Sequence, residues 1–521
     1  MPVSARYTPD PRHSELGDGF YDAVTAAAFP LHHLRYRNRR WAKRLGMGGL
    51  TSTEWRAHFA RFEPLPDNLP RPLALRYHGH QFGVYNPDLG DGRGFLFAQL
   101  RDPAAPGRLL DLGTKGSGRT PWSRGGDGRL TLKGGVREVL ATEMLEALGV
   151  KTSKSFSLFE TGEELYRRDE PSPARSSVLV RLSHSHVRIG SFQRHAVASD
   201  TERLLRLVDH VLRTYMPEAG WAATPAERAA ALLRVTCDNV ARLGAAWMAA
   251  GFVHGVLNTD NINVTGESFD YGPYRFLPTY DPRFTAAYFD RSGLYAFGRQ
   301  PGMLKWNLER LAEALLFLCA DERPLLEALD GFGPAFDAAL RTEVLRRLGL
   351  APGGAAEDDN LLARVFRFLV TSQIGFERFF FDWRGGAAAS VERVAASPER
   401  AKYAGDAFEA LRAALVAYAP SEDARVWHSY FRYGSRGSGA PCTLLIDEVE
   451  RIWQAIADAN DWSLFESKLA AIAEMADAYG VWWGRTPSKK QQPPREPAGT
   501  TAAPIERRRH SDGRASGAAR N

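Results

Sequence analysis

The sequence is poor in cysteine, with only Cys237, Cys319 and Cys442 scattered over 521 positions. An odd, dispersed set excludes a disulfide framework and a cysteine-rich zinc site, and a reducing compartment is the expectation. No run approaches the ~20 apolar residues that span a bilayer, so no membrane partner is expected. Residues 1–17 are polar and lack the apolar stretch of a secretory signal, which makes a cytoplasmic location the expectation. There is no internal repeat and no G-x-x-x-x-G-K-[ST] loop. Most of the chain also lacks an excess charge of either sign. The formal net charge is +6, but nine Lys/Arg against three Asp/Glu within residues 485–521 account for all of it. Residues 1–484 are therefore neutral and carry no broad basic footprint for a nucleic acid. The tail at 486–521, dominated by Pro, Lys, Gln, Arg and Gly, reads as disordered. What remains, 44% hydrophobic and 25% charged, is the composition of a globular protein longer than one ordinary domain.

The organising stretch is 254–272, HGVLNTDNINVTGESFDYG. Set against the kinase catalytic loop H-R-D-L-x-x-x-N and its following D-F-G, His254, Leu257 and Asn261 fall in register, and Asp270-Tyr271-Gly272 stands at D-F-G. Val256 occupies the place of the catalytic Asp and cannot accept a proton. The metal-holding positions are thus retained while the usual kinase base is missing. Asp260, beside Asn261, is the carboxylate placed to take over. By itself the match is equally compatible with an ordinary core loop.

In chain order, residues 20–62 read as helical, with Tyr21, Val24, Ala28, Trp41 and Leu45 spaced for one apolar face. His78 and His80 stand at i, i+2 without a third metal ligand nearby. Residues 95–100 and 108–112 read as strands, followed by the glycine-rich 113–118, where backbone N–H groups and Lys115 can approach a phosphate. A second glycine-rich segment, 124–129, is either a turn or another phosphate loop. A helix is expected over 136–148, with Glu138 and Glu143 as its inward candidates. A lysine on a strand and a glutamate on the next helix form the kinase pair that positions the lysine. Residues 178–182 read as a strand carrying Arg181, with Arg188 seven positions on; two arginines suit multidentate phosphate recognition. Helices follow over 201–217 and 225–251, and 303–479 is largely helical.

Assembled, these pieces resemble the selenoprotein O (SelO, or YdiU) family. The resemblance rests on HGHQFG at 78–83, LGDGR at 89–93, GTKGSGRTPWSRGGDGR at 113–129, VREVLATEML at 136–145, HGVLNTDN at 254–261, FDYGPYRFLPTYDP at 269–282 and YAFGRQP at 295–301. It implies an α+β, bilobal protein-kinase-like fold: a β-rich N-lobe and a helical C-lobe, extended by a mainly helical C-terminal region. The corresponding divisions are an N-terminal helical extension at 1–75, an N-lobe at 76–200, a helical lobe at 201–485 and the tail at 486–521. It also implies an adenylyltransferase that moves AMP from ATP to Ser, Thr or Tyr hydroxyls of acceptor proteins, itself among them, and releases pyrophosphate. By motif, Lys115 pairs with Glu138. Gly90, Gly92, Arg93, Asp127, Gly128, Arg181 and Arg188 bind nucleotide, Asn261 and Asp270 hold magnesium (manganese can substitute), and Asp260 is the general base. A conventional kinase and a non-catalytic ATP-binding scaffold are the alternatives. Members of the family commonly carry a cysteine near the end, associated with redox control. Here the last is Cys442, so control of that kind is not expected.

Overall fold

The computed structural model describes residues 3–167 and 170–481. The tail expected at 486–521 lies outside them, as do the last residues of the region expected at 201–485.

The first part of the chain alternates short strands with helices: β1 (Tyr21–Ala23), β2 (His33–Arg37), α1 (Arg39–Arg44), α2 (Ser52–Phe59), β3 (Leu73–Leu75), β4 (Gly79–Gln81), β5 (Val84–Asn86), β6 (Leu96–Asp102), β7 (Ala105–Lys115), β8 (Leu130–Thr131), α3 (Leu132–Ala147), β9 (Lys154–Leu165) and β10 (Ala174–Ser183). Among the described residues, eight of these strands join one sheet in the order β1-β3-β6-β7-β10-β9-β2, with β8 beside β10, while β4 and β5 form a separate hairpin. All the sheet pairings are antiparallel.

Side chains alternate across a strand, so each face of this sheet has its own core. Leu110 and Leu112 of β7 and Val178, Val180 and Leu182 of β10 enter an aromatic cluster with Trp41, Trp55, Phe59, Phe97 and Phe156, which α1 and α2 cover. Leu109 and Leu179 take the opposite face, packing with Val136, Val139 and Leu140 of α3. Lys115 and Arg181 therefore share the α3 face by parity. Helix α3 starts where Thr131 caps the Gly134 N–H at 3.2 Å, so the two glycines lie inside its first turn.

The helix expected over 20–62 is corrected. Tyr21–Ala23 pairs with β3 and His33–Arg37 pairs with β9, leaving only α1 and α2 helical. Residues 1–75 thus supply strands and half of the aromatic core rather than a helical extension. The apolar spacing was shared by both readings; pairing with strands distant in sequence decided between them.

The chain continues through α4 (Ile189–Val197), α5 (Thr201–Thr214), α6 (Pro225–Ala249), β11 (Phe252–Val253), β12 (Arg275–Phe276) and α7 (Gln300–Leu315), then further helices to Tyr479. Helix α6 opens on a Thr224/Glu227 capping box with Pro225 at its first turn. It delivers the chain to β11, whose ladder with β12 (Phe252 opposite Phe276) closes the base of the 254–274 loop. The helices between residues 344 and 415 gather on an apolar core of Phe368, Phe376, Phe379, Phe380, Trp383, Tyr403 and Phe408, while those over 446–479 join the core of α3 and α6. An antiparallel sheet followed by a helical region is the α+β class expected from the sequence. Among the described residues, no helix is long and apolar enough to cross a membrane.

The Phe156 ring lies 5.1 Å from Trp55 and 5.2 Å from Phe59. Phe156→Ala is expected to lower unfolding free energy by about 3–5 kcal/mol, measured by urea denaturation.

Candidate active site

In register, Lys115 of β7 faces Leu179 of β10, and Gly113 faces Arg181. The buried Lys115 ammonium ion-pairs with Glu138 of α3 and sits 2.5 Å from Asp270 Oδ1. Arg181 Nη1 is 3.4 Å from the same oxygen. The other inward candidate, Glu143, lies five residues on and so about 140° around the helix. It accepts from the Tyr36 hydroxyl at 2.6 Å and from Asn38 Nδ2 at 3.2 Å instead. Asp270 adopts φ +66°, a left-handed conformation that aspartate tolerates better than most residues. Burial by itself raises its carboxyl, but Lys115, Arg181 and Arg93 together hold it well below the usual carboxylate range.

The loop that carries Asp260 is fixed from several directions. His254, fully buried, donates from Nε2 to the Phe269 carbonyl at 3.0 Å and ties the two halves of the loop together. The Thr259–Asn261 turn is held by a closed ring of hydrogen bonds. The His80 N–H donates to Thr259 Oγ1 at 2.7 Å, and Thr259 donates to Gln193 Oε1 at 2.7 Å. Gln193 Nε2 returns to His80 Nδ1 at 2.8 Å. Asn258 Oδ1 accepts from the Tyr295 hydroxyl at 2.7 Å and from the Phe82 N–H at 3.2 Å. Asn261 donates from Nδ2 to the Val256 carbonyl at 3.1 Å, which turns its amide oxygen away from that bond.

Asp260 differs from Asp270 in its partners. Its Oδ1 is buried and has no hydrogen-bond partner among the described residues. Burial pushes its carboxyl up to about 6, against the pull of Arg188 and with the push of Asp270. Arg188 stacks over Tyr77 at 4.1 Å and over Phe269 at 5.1 Å, with Nη2 3.6 Å from Asp91 Oδ1.

The glycine-rich segments build a single layered wall beside Lys115. The Gly116 and Ser117 N–H groups donate to the Arg93 carbonyl at 2.6 and 3.2 Å. Thr120 Oγ1 donates to Asp91 O at 2.6 Å, and Ser123 Oγ to Gly92 O at 2.5 Å. A side chain at Gly90 would collide with the Trp122 ring, and one at Gly92 would come within 2.7 Å of Trp122 O, so both glycines are required by close approach. Gly128 joins this wall, its carbonyl accepting from Gly118 N–H at 3.1 Å. Asp127 instead pairs with Arg167 at 2.7 Å. It borders a cavity of about 560 Å³ with Arg119, Arg129 and Glu163. His78 bonds the Tyr85 hydroxyl at 2.6 Å and Arg194 at 3.2 Å. Among the described residues no three His, Cys, Asp or Glu converge as a metal cage.

The structure thus brings Lys115, Glu138, Arg181, Arg188, Asp260, Asn261 and Asp270 into one region, against the wall of Gly90, Gly92 and Arg93. Gln193, Asn258 and Tyr295 were not legible as site residues. Asn258 lies inside the loop motif and Tyr295 opens the YAFGRQP stretch, but nothing in the local sequence marks Tyr295 as the support of Asn258 or Gln193 as the support of Thr259.

Lys115→Met is expected to destabilise the fold by about 3–5 kcal/mol, because it leaves Glu138 buried and uncompensated; Glu138→Gln should cost less, since Asp270 still pairs with Lys115. The double variant should lose clearly less than the sum in a denaturation cycle. Strictly additive losses would show that the two charges are not coupled.

Residues 3–473 match the family model described as protein adenylyltransferase SelO. A protein nucleotidyltransferase YdiU from Synechocystis sp. is 43% identical over 475 residues, covering 88% of this chain and 96% of the relative. One of the same name from Gloeobacter violaceus is 44% identical over 470 residues, covering 88% and 93%. Another, from Trichodesmium erythraeum, is 42% identical over 475 residues, covering 89% and 98%. With a match over nearly all of the described residues, the chain belongs to the SelO family of protein adenylyltransferases and is a nucleotidyltransferase.

Proposed function

We propose that this chain transfers AMP from ATP to the hydroxyl of a serine, threonine or tyrosine in a protein and releases pyrophosphate. The observation that carries the reading is the pair of carboxylates with opposite tuning. Asp270 is kept ionised by Lys115 and Arg181, whereas the buried Asp260 is raised into the range of a working base. Val256, at the kinase base position, can do neither.

The donor set suits a hard divalent cation held mainly by substrate phosphates. Asp270 offers an anionic oxygen and Asn261 an amide oxygen, and magnesium commonly takes only one or two protein ligands beside phosphate oxygens. These two residues would hold magnesium or manganese, which supplies charge shielding to the triphosphate. Lys115, Arg93, Arg181 and Arg188 add fixed positive charge around it, and Glu138 keeps Lys115 in place. Gly90, Gly92 and Gly128 let the wall that would face the nucleotide pack tightly on Trp122 and Gly118, and Asp127 borders the cavity beyond them.

Asp260 takes the proton of the attacking hydroxyl. The acceptor oxygen bonds to the α-phosphorus, the bond from that phosphorus to the bridging oxygen breaks, and the electron pair leaves with pyrophosphate. ATP bound in the reverse sense to that in kinases presents the α-phosphorus to the acceptor. The three cysteines are free, which fits a cytoplasmic setting.

Incubation with ATP labelled separately at the α- and γ-phosphate tests the reaction class. Protein-bound α-label with release of pyrophosphate is expected. Bound γ-label would make the chain a kinase, and no bound label a scaffold. Asp260→Ala should keep ATP affinity within a few-fold and lose about 10²–10⁴ in transfer rate. Since Asp260 titrates near 6 and acts as the carboxylate, kcat/KM should fall as pH drops through that value and level off above it. Asp260→Asn should abolish this acidic limb; a limb that survives would assign it to another group.

A further inference from the structure

The β4–β5 hairpin turns through Phe82 and Gly83 with φ +52° and +78°, both left-handed. Two-residue hairpin turns of this kind favour Asn-Gly or Gly-Gly. An aromatic side chain in the first position is strained, and here it is not repaid by burial, since Phe82 is 43% exposed. Around it stand Val84 at 70%, Tyr288 at 80% and Phe289 at 46% exposure. The Phe82 and Phe289 ring centroids are 5.9 Å apart, and Tyr288 and Phe289 5.1 Å. Two remote segments therefore build one exposed aromatic ledge, the sort of surface that marks an interaction site.

The ledge is continuous with the loop of Asp260. At one end of the hairpin, a Cβ on Gly79 would stand 3.2 Å from Asp260 Oδ1. At the other, the Phe82 N–H donates to both Asn258 Oδ1 and the Tyr295 hydroxyl at 3.2 Å. Three residues of extended chain cover about 10 Å. The rim is basic: Arg291 and Arg299 are exposed with no carboxylate partner among the described residues, whereas Arg283 is 3.8 Å from Asp281.

We propose that this ledge docks the acceptor polypeptide as an extended stretch, with an aromatic or branched aliphatic side chain about three residues from its hydroxyl and carboxylates beyond. The proposal rests on the reading that Asp260 serves a protein acceptor. The side chain of the acceptor covers Phe82, Val84 and Phe289, and its carboxylates meet Arg291 and Arg299. Recognition by spacing and class, rather than by one deep pocket, would let a single enzyme modify several proteins.

The test uses the full chain, α-labelled ATP and acidic peptides with a single serine. One set carries Phe three residues before or after the serine, and the control carries Gly at both places. The better Phe peptide is expected to exceed the control in kcat/KM by about tenfold or more, the return for burying one aromatic side chain. Val84→Ser and Phe289→Ser should erase that advantage while leaving the KM for Mg·ATP and the melting temperature unchanged. Phe82→Asn, which relieves the turn, should raise the melting temperature and still raise the KM for the Phe peptide. Discrimination that persists in these variants overturns the proposal. So does a change in sedimentation showing that the ledge joins two copies of this chain. Absence of α-label transfer to any acceptor by the unmodified enzyme strikes the adenylyl-transfer reading itself.

Discussion

The arrangement depends on one buried ammonium. Lys115 reaches from the sheet to Glu138 on α3 and to Asp270 on the loop from the helical region, so three elements distant in sequence meet at a single charge. A lysine there costs desolvation unless it is paired, and each carboxylate would likewise be costly alone. The cluster therefore fixes where α3 stands relative to β7. It also fixes where the 254–274 loop stands relative to both.

That constraint sets the electrostatic contrast within the site. Asp270 shares its oxygen with Lys115 and lies near Arg181, and remains ionised. Asp260 belongs to the same loop but turns into a buried position beside Gly79, where Arg188 is its main countercharge. Two aspartates ten positions apart are thus given different chemistry by their neighbours rather than by their identity. The ring of His80, Thr259 and Gln193 keeps this difference in place by preventing the turn from rotating Asp260 toward solvent.

Much of this was legible in the sequence because it is local or periodic. The register of His254, Leu257, Asn261 and Asp270 is a matter of spacing along one loop, and short apolar runs, Leu109-Leu110 and Val178-Leu179-Val180, mark the strand that leads to Lys115 and the one that carries Arg181. Helical spacing left Glu138 and Glu143 both open and only the family motif chose Glu138; the physical reason, that Lys115 meets Glu138 while Glu143 turns to Tyr36, lies in the placement of the sheet. The same holds for residues 20–62, whose apolar spacing fits a helix until β3 and β9 offer edges to pair with.

The sequence by itself determined the family motifs, the loss of the kinase base at Val256, and the carboxylate and amide groups that surround the loop. It could do so because those features depend on residue type and short spacing. Tertiary structure alone decided that Gln193 and Tyr295 support the catalytic turn, that Asp127 pairs with Arg167, and that the strained Phe82 meets Phe289 on an open ledge. These depend on contacts between residues tens to more than two hundred positions apart, and on the balance of burial and countercharge: burial raises both carboxyls, and only at Asp270 do Lys115, Arg181 and Arg93 outweigh it. No local pattern encodes either, because the free energy of a buried charge is set by whatever the fold places around it.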